Sequence, residues 1–144
     1  MPSRSDGYLL DMLLAARSIQ DFTGGQTQQS FAVDRLRIRA IEREFEILGE
    51  AARNVDEITR QQFPGLDFRA IVGMRNIVLH DYRRVKADML WESSQHHVPK
   101  LISVLEPYKT RNHRHRSLTA RTRRTSGKSS TRTMIHHTHK RNML

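Results

Sequence analysis

The chain has 144 residues, 37% of them hydrophobic, no cysteine and a formal net charge of +10. That length supports one domain with a genuine core and excludes two large ones. The missing cysteine excludes a disulfide or a thiolate metal site, and the longest apolar runs, such as Met12 to Ala16, are far too short to span a bilayer.

The charge is unevenly placed. Of 25 Lys and Arg residues, 11 fall in residues 109–144, which hold no Asp or Glu. Residues 1–108 therefore carry 14 basic and 15 acidic residues and are close to neutral. Early charges at Arg4, Asp6 and Asp11 do not fit a secretory leader, so a cytoplasmic protein is expected.

In chain order, Asp6 to Phe22 reads as a first helix. Leu9, Leu13, Ala16 and Ile19 recur at steps of three and four, and Gly24-Gly25 stops the segment. A Gln-rich turn follows, with Ser30 as N-cap of a long second helix, Phe31 to Val55. Its residues Ile38, Ile41, Phe45, Leu48, Ala52 and Val55 form a heptad-like seam, expected to pack within the chain and partly across a two-fold interface.

Asp56 caps a short third helix, and Pro64-Gly65 ends it. A fourth helix starts near Asp67 and ends between Asp81 and Arg84. A fifth runs from Ala87 to Tyr108, with Trp91, Val98, Leu101, Ile102 and Leu105 as its apolar set, and Pro99 predicts a kink or split. Nothing alternates with period two over strand length, so residues 1–108 read as an all-α bundle of four to five helices. Residues 109–144 show no periodic apolar face and are expected to be disordered.

The fourth helix carries the chemistry. Arg75, Asn76, His80 and Tyr82 lie within eight residues of an otherwise apolar segment, where unpartnered polar groups are costly to bury. Arginine holds phosphate and histidine moves protons near neutral pH, the minimum equipment for cleaving RNA without a metal. Asn76 and His80 are four residues apart and share a helix face, so the amide can orient the imidazole ring. A lone His–Asn pair on a helix is more often a structural hydrogen bond, and a tyrosine at a helix end commonly just packs its ring.

The pattern Arg-x-x-x-x-His-x-Tyr, here Arg75, His80 and Tyr82, resembles that of the HepT-like toxins of the HEPN ribonuclease superfamily. Asn76, the preceding Ile71-Val72-Gly73-Met74, and Trp91 with Pro99 fit the same family. So do Leu9-Leu10-Asp11-Met12 and Glu46-Ile47-Leu48-Gly49-Glu50-Ala51-Ala52, and the likeness covers about residues 6–107. The resemblance implies a homodimeric helical bundle that cleaves RNA without a metal or other cofactor, as the toxin of a two-component pair. It implies Arg75 and His80 as catalytic, Asn76 as supporting, and a nucleotidyltransferase antitoxin that transfers AMP to Tyr82. The sequence departs from the family at Arg83-Arg84, which stand where an aromatic or apolar residue is usual. They read as possible RNA contacts or, more commonly for paired charges, as a solvated face.

Two other readings use the same residues. A non-catalytic helical dimer that binds the nucleotidyltransferase would tolerate loss of His80. A basic RNA-binding protein would work through residues 109–144 and lose function on truncation after Tyr108. The cluster His136, His137 and His139 suggests weak metal capture, but no acidic or cysteine ligand supports a closed site.

Overall fold

The computed structural model describes residues 3–80 and 87–125; for His80 and residues 110–125 it describes the backbone alone. The described residues form six α-helices and no strand. Four are long: α1 (Arg4–Thr23), α3 (Arg35–Asn54), α5 (Phe68–His80) and α6 (Ala87–Thr125). Two are single turns, α2 (Gln28–Ala32) and α4 (Glu57–Gln61). The chain separates into two compact units, residues 1–111 and 112–144.

Each boundary has a local cause. Ser3 caps α1 reciprocally with Asp6, which satisfies two amide donors at the helix start. At its end the Gly24 amide donates to Gln20, and Gly25 takes φ +73°, a conformation that favours glycine. The long helix expected over Phe31–Val55 is split. Asp34 receives the Arg37 amide on its side chain and starts α3, so a local bond interrupts the helix that periodicity alone would continue. Ser30 is not the cap of that helix. It lies inside α2, where its amide donates to the capping Thr27 hydroxyl. The turn is held from outside by Phe31, fully buried with its ring centroid 5.5 Å from that of Trp91.

Asp56 caps α4, as expected, and Asp67 accepts from the Ala70 amide at the start of α5. Arg60 closes the end of α3 by donating to the carbonyls of Ala52, Arg53 and Val55. Those are acceptors that a helix C-terminus leaves without partners.

The core is one cluster drawn from every long helix. Leu9, Met12, Leu13, Ala16 and Ile19 of α1 meet Ile41, Phe45, Leu48 and Ala52 of α3. Phe68 and Val78 of α5 and Leu90, Val98, Leu101 and Leu105 of α6 complete it. Across the sequence, Arg17 pairs with Glu106, and the Tyr108 hydroxyl donates to Asp6 at 2.6 Å. The α3 seam thus closes against α1 and α5 of its own chain, with Ile38 alone half-buried. The burial expected of the seam is met within the single chain at Ile41, Phe45, Leu48, Ala52 and Val55.

Pro99 and Pro107 lie inside an uninterrupted α6. An interior proline costs about 3 kcal/mol, whereas each fully buried aliphatic side chain returns about 1.5–3 kcal/mol. Leu90, Val98, Leu101 and Leu105 outweigh the defect, so the expected split is absent. The helix also runs past Tyr108 to Thr125. Adding residues to an existing helix avoids the nucleation cost that a separate polar segment would face. Residues 126–144, with the three histidines at 136, 137 and 139, lie outside the described residues.

Candidate functional site

Arg75 sits in the middle of α5, on the side facing α3. The approach of the two helices is set by Gly49: a Cβ built there would stand 2.2 Å from the Cβ of Arg75. No larger residue fits without separating α3 from α5. The arginine side chain passes over this glycine and is only 20% exposed. Its Nη2 pairs with Glu50 Oε2 at 2.9 Å, and its Nη1 donates to Asn76 Oδ1 at 3.3 Å.

Around the guanidinium lies a groove of about 330 Å³. It is bounded by Tyr8 and Asp11 of α1, by Arg43, Glu46, Glu50 and Asn54 of α3, and by Leu79 of α5. Both arginines in it are paired, Arg75 with Glu50 and Arg43 with Glu46 at 3.0 Å. A second groove, of about 480 Å³, runs beside α3 on the side of Val33, Ile38 and Val78 and holds none of the expected site residues. Among the described residues no group of three His, Asp or Glu side chains is placed to hold a metal ion.

The structure brings together two of the expected residues and adds others. Arg75 and Asn76 are in contact. The Asn76 oxygen accepts from Arg75; its expected role toward the His80 ring lies outside the described side chains. His80 is the last residue of α5, on the same helix and one turn beyond Asn76. Tyr82, Arg83 and Arg84 fall in residues 81–86, outside the described residues. Glu50 and Gly49 enter the site although sequence reasoning assigned them no role. The signal was a glycine in a helix interior, where it costs about 1 kcal/mol relative to alanine and so calls for a close approach.

The sequence profile of the family described as Ribonuclease HepT-like matches residues 12–108. The chain belongs to the HepT-like ribonuclease family. It is 31% identical over 99 residues to a protein of Methanocaldococcus jannaschii named as a candidate RNase, covering 69% of this chain and 91% of that one. It is 30% identical over 99 residues to a protein of Thermococcus cleftensis named as probable ribonuclease HepT, covering 69% and 90%. A candidate RNase of Caldanaerobacter subterraneus is 29% identical over 94 residues, covering 65% and 84%. No solved structure matches the chain. The HepT-like match spans α1 from Met12 through α6 to Tyr108, so it includes Gly49, Glu50, Arg75, Asn76 and His80.

Proposed function

We propose that this HepT-like chain is the toxin of a toxin–antitoxin pair, a metal-independent endoribonuclease whose chemistry is carried by Arg75 and His80. The observation that carries this reading is Arg75: a largely sequestered guanidinium, held on two sides and lining an open groove, one and a half turns before a histidine on the same helix. A fixed cation in such a position favours the charge that builds on a phosphate during cleavage. An imidazole titrates near neutral pH and transfers a proton to or from ribose oxygens, a step worth ~10²–10⁴-fold.

One imidazole cannot be acid and base at the same moment. Two copies of the chain sharing a cleft supply one for each task, which supports a homodimer as the active form. Exposed apolar side chains at Leu10, Leu14 and Ile77 provide surface for such a contact. Control by a nucleotidyltransferase antitoxin follows the same chemistry. AMP attached to the Tyr82 hydroxyl adds an anion and an adenosine two residues from His80, where Arg75, Arg83 and Arg84 attract it.

The test is RNA cleavage by the purified protein with a chelator present. Wild type cleaves, and His80→Ala is folded and inactive. Cleavage by His80→Ala at the wild-type rate would overturn the assignment and leave a binding role toward the transferase. Incubation with the transferase and ATP adds AMP-sized mass to wild type, while Tyr82→Phe keeps its nuclease activity and gains no mass.

A further inference from the structure

Glu50 takes part in a continuous set of polar contacts that the cleavage chemistry does not itself require. Asn54 Nδ2 donates to Glu50 Oε1 at 3.3 Å and to the Glu50 carbonyl at 2.8 Å. Glu50 Oε2 pairs with Arg75 Nη2, and Arg75 Nη1 donates to Asn76 Oδ1. Both carboxylate oxygens of Glu50 are thus engaged, one anchored to its own helix and one on the guanidinium. Arg53 Nη1 stands farther off, 4.0 Å from the same oxygen.

The placement is asymmetric. Glu50 is 49% exposed at the rim, whereas Arg75 is 20% exposed and set against α3 by Gly49. The Nε–H of Arg75 has no hydrogen-bond partner among the described residues. A guanidinium offers five donors in a rigid fork. Among the described residues Glu50 and Asn76 take one from each terminal nitrogen, and the remaining donors are the ones an incoming phosphate would use.

We propose that Glu50 is a positioning residue for Arg75: anchored by Asn54, it fixes the guanidinium in the groove between α1, α3 and α5 before RNA arrives. This rests on the ribonuclease reading. An arginine has four rotatable side-chain bonds, and freezing them at the moment of reaction would slow the chemical step. A carboxylate already in place removes that cost and keeps the fork oriented toward the groove.

The experiment measures cleavage of a short RNA oligonucleotide by the full chain, with kcat and KM determined separately. Glu50→Ala is expected to lower kcat by up to ~10²-fold, the scale of a small misplacement of a catalytic group, with KM and melting temperature little changed. Glu50→Gln retains an acceptor oxygen and recovers most of kcat. In an Arg75→Ala background, Glu50→Ala has no further effect, because the two side chains act as one unit.

Faster cleavage by Glu50→Ala would overturn the proposal and show that the carboxylate blocks Arg75. Wild-type kcat in Glu50→Ala, or equal losses in Ala and Gln variants that track a lower melting temperature, would also overturn it. A second measurement does not depend on catalysis. Side-chain 15N NMR of the free protein should show restricted rotation of the Arg75 guanidinium in wild type and in Glu50→Gln, and free rotation in Glu50→Ala. Restricted Arg75 with no RNA cleavage by wild type removes the ribonuclease reading while the Glu50 contact stands. Freely rotating Arg75 in wild type removes the positioning role while the ribonuclease reading stands.

Discussion

The two sides of α3 differ in what they are made to do. One side carries Ile41, Phe45, Leu48 and Ala52, each buried and packed against the same chain. The other carries Arg43, Glu46, Glu50 and Asn54 along a groove open to solvent. The apolar side stabilises the bundle through non-directional burial. The polar side depends on direction, since the Glu50 carboxylate and the Asn76 oxygen each meet a specified nitrogen of Arg75. Between them Gly49 sets the spacing at which both sides work. The stability of this helix and its chemistry are therefore separable by substitution, and the expected effects can be ranked.

The largest separation should come from the motif itself. Arg75→Ala or His80→Ala is expected to reduce RNA cleavage by ~10²–10⁴-fold while leaving the helical circular dichroism signal and the unfolding midpoint near wild type. A large loss of stability in either variant would mean that the polar side of the bundle also holds it together. The apolar side should respond the opposite way. Phe45→Ala removes a buried ring and is expected to cost about 3–5 kcal/mol in urea unfolding. Activity per folded molecule should be preserved, measured at temperatures where the variant remains native.

Gly49→Ala sharpens the comparison because it acts on both sides. Its new Cβ collides with the Cβ of Arg75, not with the flexible end of a side chain. Overpacking of this kind costs about 1–3 kcal/mol, and here it also displaces Arg75. A combined loss of stability and kcat is expected, and an unaffected kcat would show that the Arg75 position tolerates movement.

A pH prediction applies at the start of α4. The Asp56 carboxyl lies below the usual aspartate range because the Ser5 hydroxyl donates to it, helped by the Thr59 amide. A depressed value means that the folded state prefers the charged form. Its contribution is present above the ordinary aspartate value of about 4 and is lost as pH falls through the depressed value. Ser5→Ala should flatten that part of the acid unfolding curve, followed by circular dichroism. The smallest effect is expected at the Arg39–Glu42 pair, 2.9 Å apart on α3, where the arginine is exposed. Its removal should change stability by about 0.2–0.5 kcal/mol or less, and only at low salt.

The sequence by itself determined the helical class, the stop at Gly24-Gly25, the cap at Asp56 and the apolar stripes of α1 and α3, because these depend on local spacing and turn chemistry. It also placed Arg75, Asn76 and His80 on one helix, and through the same residues it indicated the HepT-like family. What only the tertiary structure decided was where side chains already legible in the sequence are used. Periodicity marked the α3 seam as apolar but could not say that α1 and α5 of the same chain would fill it. Propensity left a kink or a split open at Pro99, since it does not register four buried side chains packing α6 onto the bundle, and the helix is not split there. Spacing put Asn76 on the face of His80, and the folded chain adds an Arg75 donor to the Asn76 oxygen. Glu50 and Arg75 are 25 residues apart in sequence, and nothing local links them. Their contact exists because Gly49 allows α5 to lie close against α3, and such a close approach belongs to two helices together.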